Sequence, residues 1–182
     1  MKRIVNSLLN VVIGVASALL ISLIGVIIFI KNFSEMALDN HIRDMYQQIV
    51  VQTGQIQEAL PLIITENKDV NAYNDGEYIV LYRGMIDYVE NDDELALVLG
   101  HEVAHGTLRH VYFREFGKSE YEIATAEGNA DKLGAIYMMK AGWDVCIGRE
   151  IWQRMRTEEG NYIGGDHPTA SYRFDELNIG CE

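Results

Sequence analysis

The chain has 182 residues, enough for one domain of ordinary size and an appendage, and its formal net charge is −12. All its acidic residues lie beyond residue 30, so the part that follows is a poor match for nucleic acid or an anionic lipid surface. The two cysteines, Cys146 and Cys181, lack metal-ligand spacing. An oxidising compartment would permit a bridge between them, which the sequence leaves open, and we expect two free thiols.

An uncharged apolar run from Val11 to Ile30 is long enough to cross a bilayer core of about 30 Å as a helix. Lys2 and Arg3 precede it, and we expect a retained signal anchor, with a cleaved signal peptide at Ala16-Ser17-Ala18 as the alternative. The basic residues favour a cytoplasmic N-terminus, with the rest of the chain across the membrane.

The segment after this run predicts a helical region followed by a small sheet. Apolar residues at helical spacing from Leu38 to Ile49 predict an amphipathic helix, which either continues through Ile56 and Leu60 or breaks near Gly54. Three short strands and one short helix follow, at Leu62–Thr65, Asp69–Tyr73, Tyr78–Tyr82 and Met85–Glu90. The turn-forming residues Asn74-Asp75-Gly76 join the last two strands.

Two capping signatures predict the long helices of the domain. Asn91 with Glu94 opens a central helix, and Ser119 with Glu122 opens a second one that runs to Lys140. Gly142 is placed as the C′ residue of the second helix. Two further helices are predicted, one from Ile147 to Arg156 and a short one that begins at Pro168.

The central helix carries the motif His101-Glu102-Val103-Ala104-His105. Residues four apart lie on one helix face, so the two imidazoles can hold one metal ion from a single rigid element. Glu102 lies about 100° further round the helix. It therefore borders the metal without ligating it, where a general base would stand.

A catalytic zinc site takes a third protein ligand from elsewhere. Glu127 is the best candidate, because Glu127 and Asp131 share a helix face at i, i+4. One carboxylate can ligate zinc while the other accepts the free N–H of a ligand histidine. Gly128 and Ala130 are expected to keep bulk low where this helix approaches the first.

These motifs together resemble the gluzincin family that contains the HtpX and CAAX prenyl proteases and the periplasmic LoiP and BepA peptidases. The resemblance runs from about Leu62 to Leu177. The segments that carry it are the two metal motifs, Asn71-Ala72-Tyr73 with Gly76 and Tyr78-Ile79-Val80, Arg83-Gly84-Met85-Ile86, and His167-Pro168 with Arg173. The Asn74-Asp75-Gly76-Glu77 turn departs from the Pro-Gly-Gly type turn that is frequent in the family, so we expect a different cleft rim. The lack of the extra membrane segments of HtpX and the prenyl proteases argues against prenylated substrates and favours the single-anchor, periplasmic branch.

The resemblance implies a role for each matching residue. His101, His105 and Glu127 would bind one zinc per chain, Glu102 would be the base, and Asp131 would orient a ligand histidine. His167 and Arg173 would line the cleft, with His167 stabilising the oxyanion or visiting the metal. The strand of Tyr78, Ile79 and Val80, together with Asn71 and Ala72, would lie at the cleft edge and bind extended substrate.

We therefore predict a mostly helical α+β, zincin-like metallopeptidase domain at residues 33–182 behind a transmembrane anchor at residues 1–32. It would be a single-pass membrane protein with the catalytic domain on the extracytoplasmic, periplasmic side of a bacterial inner membrane, cleaving unfolded or misassembled proteins. The alternative is an assembly factor or chaperone that keeps the zinc fold with little proteolysis. The oligomeric state stays open, and His41 and His110 are expected at the surface without a role.

Overall fold

The computed structural model describes residues 2–55, 59–110, 120–158 and 169–181. Its contacts divide the chain into two compact units, Met1–Ile42 and Arg43–Glu182. The described residues are mostly helical with one small sheet, which confirms the α+β class predicted from the sequence.

Helix α1 extends from Lys2 to Val51. Its residues up to Ile42 belong to the N-terminal unit, and its last residues belong to the second unit. Its large apolar side chains between Leu19 and Phe33 are exposed. Of the helices described, this one is long and apolar enough to cross a membrane, with the candidate span within Leu19–Val51. Length and composition alone support this, and a signal sequence near the N-terminus would satisfy the same criteria.

In the second unit, α1 ends as the broken-helix interpretation predicts. A turn follows Val51, and Gly54 has a φ of 70°, a left-handed conformation that glycine adopts readily. Met45 and Ile49, from the predicted apolar stripe, are buried. Ile56 lies outside the described residues.

The sheet has three strands in the order β1-β3-β2, where β1 is Leu62–Thr65, β2 is Ala72–Asn74 and β3 is Ile79–Tyr82. Strand β3 pairs in parallel with β1 and antiparallel with β2. It is therefore the central strand, and the expectation that Tyr78, Ile79 and Val80 form the cleft edge is wrong. Both sides of β3 are already hydrogen-bonded, so no peptide can add to it.

Helix α2, Arg83–Tyr88, leads into the central helix α3, Asp92–Thr107. The predicted cap is confirmed, because the Asn91 side chain accepts the Glu94 N–H at 3.0 Å. The Glu94 carboxylate does not close the reciprocal bond to Asn91. It accepts the Glu90 N–H at 2.8 Å and pairs with Arg154.

Helix α4, Glu120–Ala141, packs closely against α3. The contact lies at Gly100 and Gly134, since a Cβ on either glycine would come within 2.6 Å of the other helix's backbone. The expectation that Gly128 serves this approach is wrong, because an added Cβ there would meet no described atom within 4 Å. Gly142, with a φ of 106°, follows the helix end as predicted.

The C-terminal part differs from the sequence-based expectation in two ways. The helix predicted from Ile147 to Arg156 is two helices, α5 at Val145–Gly148 and α6 at Glu150–Glu158. The Asp144 side chain caps α5 by accepting the Cys146 N–H at 2.8 Å, which starts that helix early. Helix α7, Ala170–Glu176, is capped by Thr169.

The second difference is a disulfide between Cys146 and Cys181, whose Cα atoms are 5.5 Å apart. The expectation of two free thiols is wrong. The sequence could not settle this, because the separation of 35 residues says nothing about whether α5 and the C-terminal segment meet.

Candidate metal and active site

The two histidines of the central motif point one ring nitrogen each at the same place. On α3 the Nε2 atoms of His101 and His105 are 2.9 Å apart. Their ring centroids are 4.5 Å apart, and each residue is less than a tenth exposed. The i, i+4 spacing on one helix face produces this convergence.

Glu127 brings a carboxylate from α4 to the same point. Its oxygens lie 3.3 Å from Nε2 of His101 and 3.4 Å from Nε2 of His105, and the residue is 3% exposed. One ligand atom from each of the three residues lies within 4.8 Å of the others. Two imidazole nitrogens and a carboxylate form a donor set that fits zinc, and within the described part of the chain these three residues leave a fourth position for water.

Asp131 and Arg173 form a buried ion pair behind His101. The His101 Nδ1 atom is 2.8 Å from Asp131 Oδ1, while the Arg173 guanidinium donates to both carboxylate oxygens. Burial alone would raise the pKa of Asp131, but Arg173 and His101 lower it well below its usual range. Asp131 is therefore ionised and accepts the His101 Nδ1 proton, which directs the Nε2 lone pair towards the cluster.

The same contacts affect the protonation of His101. Burial and the charge of Arg173 lower the pKa of its imidazole, but Asp131 and Glu127 outweigh them and raise that pKa to about 9. The Asp131 and Glu127 carboxylates thus stabilise positive charge on the His101 ring.

His110 is buried, with 8% exposure, so its expected surface position is wrong. Its Nδ1 atom lies 3.0 Å from Nδ1 of His105, on the side of that ring away from the cluster. The burial was missed because a histidine just beyond the end of a helix carries no local signal of where its ring turns.

Glu102 is 6% exposed and follows His101 on α3. A buried contact from the sheet fixes the backbone there, since the Asn74 side-chain amide donates to the Glu102 carbonyl oxygen at 2.9 Å. The side-chain oxygen of Asn74, Oδ1, accepts the Gly76 N–H at 2.9 Å. The sequence marked Asn74 only as a turn residue, and its link to the motif helix was missed.

The remaining candidate residues lie in different places. Arg173 is 3% exposed, packs over the Trp152 ring at 3.5 Å and donates to the Asp131 carboxylate at 2.8 Å. His167 and Pro168 lie outside the described residues. Asn71 and Ala72 belong to the β2 edge, where the Asn71 carbonyl accepts the Tyr82 N–H at 3.1 Å.

That bond sets the pattern of the β2–β3 ladder. In an antiparallel pair, hydrogen-bonded and non-hydrogen-bonded positions alternate. Asn71 bonds across to β3, so the next residue, Ala72, which lies opposite Leu81, turns its N–H and C=O to the outer edge of the sheet. Among the described residues, no strand pairs with that edge.

Comparison with known protein families matches the part of the chain that contains the His101–His105 motif to one family. The sequence profile described as peptidase family M48 matches residues 36–126, which is half of the chain. The match includes β1, β2, β3 and the whole of α3, and it ends one residue before Glu127.

Curated relatives resemble parts of this chain. The "Putative beta-barrel assembly-enhancing protease" of Vibrio cholerae is 25% identical over 79 residues, 43% of this chain and 16% of that protein. The "Beta-barrel assembly-enhancing protease" of Yersinia pestis is 29% identical over 75 residues, 41% of this chain and 15% of the relative. The "Mitochondrial metalloendopeptidase OMA1" of Arabidopsis thaliana is 23% identical over 125 residues, 52% of this chain and 26% of the relative. The matches thus span between 15% and 26% of each relative's length.

Proposed function

The chain belongs to peptidase family M48 and has the zincin-like fold of that family, and we propose that it is a membrane-anchored zinc endopeptidase. The observation that carries this proposal is the convergence of His101, His105 and Glu127 in one buried cluster. The motif glutamate, Glu102, lies next to that cluster in sequence and is itself buried. A structural zinc site is less well supported, because such sites are closed by four protein ligands.

One zinc per chain would be held by Nε2 of His101, Nε2 of His105 and the Glu127 carboxylate. A zinc ion bound there would supply Lewis-acid polarisation of the scissile carbonyl and a lowered pKa for water. The protein would contribute a rigid set of donors, since Asp131 holds the His101 ring at 2.8 Å and Arg173 holds Asp131.

Glu102 is the proposed general base. It would accept a proton from the attacking water and then donate it to the leaving amine of the cleaved peptide bond. The hydrogen bond from Asn74 to its carbonyl oxygen keeps this turn of α3 in place relative to the sheet. In this proposal the β2–β3 pair has two tasks. Its Asn74 side chain holds the backbone of Glu102, and its outer edge binds the substrate.

The proposed substrate-binding strand is β2. The N–H and C=O of Ala72 face the free edge of the sheet, so an extended peptide can pair with them as an additional strand. Asn71 precedes this position, and the Asn74 end of β2 adjoins α3. Backbone pairing recognises unfolded segments with little side-chain preference, which is why we propose unfolded or misassembled proteins as substrates.

His167 and Arg173 enter the proposal differently. We propose that His167 assists at the cleft, either by stabilising the oxyanion or as an extra metal ligand. Arg173 is proposed to act through Asp131, because its guanidinium is buried against that carboxylate. It is therefore a positioning residue in this scheme.

The proposed location is the extracytoplasmic side of a membrane, with residues 11–30 as the anchor. The disulfide between Cys146 and Cys181 supports this, since disulfides persist in oxidising compartments. The basic residues before the apolar run, Lys2 and Arg3, support a cytoplasmic N-terminus. Relatives named as enhancing β-barrel assembly support a role in protein assembly or quality control.

The test is digestion of an unfolded protein such as reduced casein by the whole 182-residue chain in detergent, with zinc measured on the same preparation. We expect one zinc per chain, cleavage by wild type, and loss of cleavage on the order of 10²–10⁴-fold in Glu102→Gln with zinc retained. Equal cleavage by both proteins would remove Glu102 as the base. Full zinc occupancy without cleavage by wild type would favour the assembly factor.

A further inference from the structure

We propose that His110 is a positioning residue that holds the His105 imidazole with Nε2 directed at the metal cluster. The proposal rests on the proposed function only in taking His105 as a metal ligand. It assigns a task to a buried histidine outside the motif that the mechanism above does not use. Three observations carry it. They are the turn that ends α3, the contact between the His110 and His105 rings, and the orientation of the His105 ring, whose Nε2 faces the cluster while its Nδ1 faces His110.

The end of α3 brings His110 back over His105. The His110 N–H donates to the His105 carbonyl at 3.0 Å, and the Arg109 N–H donates to the Gly106 carbonyl at 3.1 Å. These are the two bonds of a Schellman motif, in which the residue after the left-handed position contacts the residue five places before it. The left-handed position is Arg109, with a φ of 56°. This turn therefore sets the His110 ring against its partner.

Arg109 adopts this conformation although most helix ends of this type use glycine there. A left-handed backbone is unfavourable for a residue with a Cβ. The surrounding contacts hold Arg109 in it nonetheless. One of them is the contact between the buried imidazoles of His110 and His105. It takes the place of the apolar side-chain pair that usually accompanies this motif.

The rings meet through one nitrogen each. Their Nδ1 atoms are 3.0 Å apart, with the ring planes inclined at 72°. Two imidazole nitrogens at that distance need one proton between them, so one donates and the other accepts. A metal-binding His105 keeps its Nε2 lone pair unprotonated, so its proton is on Nδ1. His105 therefore donates, and His110 Nδ1 accepts.

This arrangement parallels the one at the other histidine ligand. The Nδ1 atom of His101 is bound to the Asp131 carboxylate at 2.8 Å, whereas that of His105 is bound to a second imidazole. Partners of this kind fix the tautomer and the ring orientation of a ligand histidine, and their loss costs about 10–100-fold in metal affinity or activity. The two ligands are thus oriented by acceptors from different parts of the fold, Asp131 on α4 and His110 in the turn that ends α3.

Two substitutions at His110 separate orientation from packing. Asparagine places its side-chain oxygen near the position of Nδ1 and can accept the same proton, whereas leucine fills space without an acceptor. We expect His110→Leu to weaken zinc binding by about 10–100-fold, measured by competition with a chromogenic chelator, and His110→Asn to restore most of it. The absorption spectrum of the cobalt-substituted protein should change in His110→Leu and return towards wild type in His110→Asn.

Substitutions at Arg109 test the turn without altering either ring. Arg109→Gly preserves the left-handed conformation and should bind zinc like wild type. Arg109→Ile is disfavoured in that conformation and should weaken zinc binding in the same direction as His110→Leu. Circular dichroism on each preparation would check that the variants fold, so that a lost affinity can be assigned to the site.

Wild-type zinc affinity and an unchanged cobalt spectrum in folded His110→Leu would overturn the inference, as would equal losses in the leucine and asparagine variants, which indicate packing alone. These results leave the proposed function intact if wild type binds zinc and cleaves casein. A wild-type chain that binds no zinc would overturn both. The two proposals can thus fail separately.

Discussion

Asp131 accepts the Nδ1 proton of His101 across 2.8 Å, and this bond links the two helices that supply the candidate metal cluster. Arg173 extends the link to α7, because its guanidinium donates to the same carboxylate. The Trp152 ring of α6 covers that guanidinium at 3.5 Å. Four helices are therefore joined at one buried carboxylate, and the orientation of His101 depends on all of them.

The first prediction concerns the charge of that carboxylate. Asp131→Asn keeps an oxygen near His101 Nδ1 but removes the negative charge and leaves Arg173 without its ionic partner. We expect zinc affinity to fall by about 10–100-fold, measured by chelator competition. Asp87→Asn is the control, because its ion pair with Lys68 at 3.2 Å is exposed. Equal zinc affinity in Asp131→Asn and wild type would mean that Asp131 only packs.

The second prediction concerns the stability of the ion pair. Arg173→Leu leaves Asp131 buried without its cation, and we expect the free energy of unfolding in urea to fall by about 3–5 kcal/mol. Adding Asp131→Asn to Arg173→Leu should recover part of that loss, since no charge is then left unpaired. Lys68→Ala breaks an exposed pair and should cost about 0–1 kcal/mol. Similar losses in the two single variants would contradict the account.

Local patterns in the sequence were enough to predict the elements near the site. The strand Leu62–Thr65, the Asn91 cap and the break of the first helix near Gly54 agree with the structure. Each depends on residues within a few positions of one another, where spacing and capping chemistry act directly.

The features that were missed depend on partners distant in the sequence. The residues of β3 do not specify which strands lie on either side of it. The observed order β1-β3-β2 makes β2 the edge strand, so the proposed substrate-binding strand is β2 and not β3. The burial of His110 and the approach of Gly100 to Gly134 arise where separate segments meet. Propensity and spacing contain no information about such contacts.

The third prediction concerns the metal ligands. Replacement of His101, His105 or Glu127 by alanine should abolish stoichiometric zinc in elemental analysis, because each supplies one of the three converging atoms. Removal of zinc from wild type with a chelator should also lower the unfolding temperature, since a ligand bound only to the folded state stabilises it. Full zinc occupancy in Glu127→Ala would exclude that residue as a ligand.

The fourth prediction distinguishes the edge strand from the central strand. Proline at Ala72 removes an N–H that faces the free edge. We therefore expect this variant to cleave casein more slowly, while its zinc content and its unfolding temperature stay close to those of wild type. Proline at Ile79 removes a bond to the Pro61 carbonyl at 3.0 Å and should destabilise the fold itself. Unimpaired cleavage by a folded Ala72→Pro variant would place the substrate elsewhere.

The crossing of α3 and α4 determines whether the ligands can meet at all. A Cβ on Gly134 would come within 2.5 Å of the Gly100 carbonyl carbon and 2.6 Å of the His101 nitrogen. Both neighbours are backbone atoms of a helix, which cannot move as a flexible side chain can. The helices would have to separate, and Glu127 and Asp131 would then withdraw from the two histidines.

The fifth prediction follows from this contact. Gly134→Ala should lower the free energy of unfolding by about 1–3 kcal/mol or more through overpacking, and should also weaken zinc binding. Gly128→Ala is the matched control on the same helix, because its Cβ would meet no described atom within 4 Å. There the better helix propensity of alanine should raise stability by up to about 1 kcal/mol, with zinc binding unchanged. Urea unfolding and chelator competition on both variants test this, and a Gly134→Ala variant as stable as Gly128→Ala would show that the helices do not cross at Gly134.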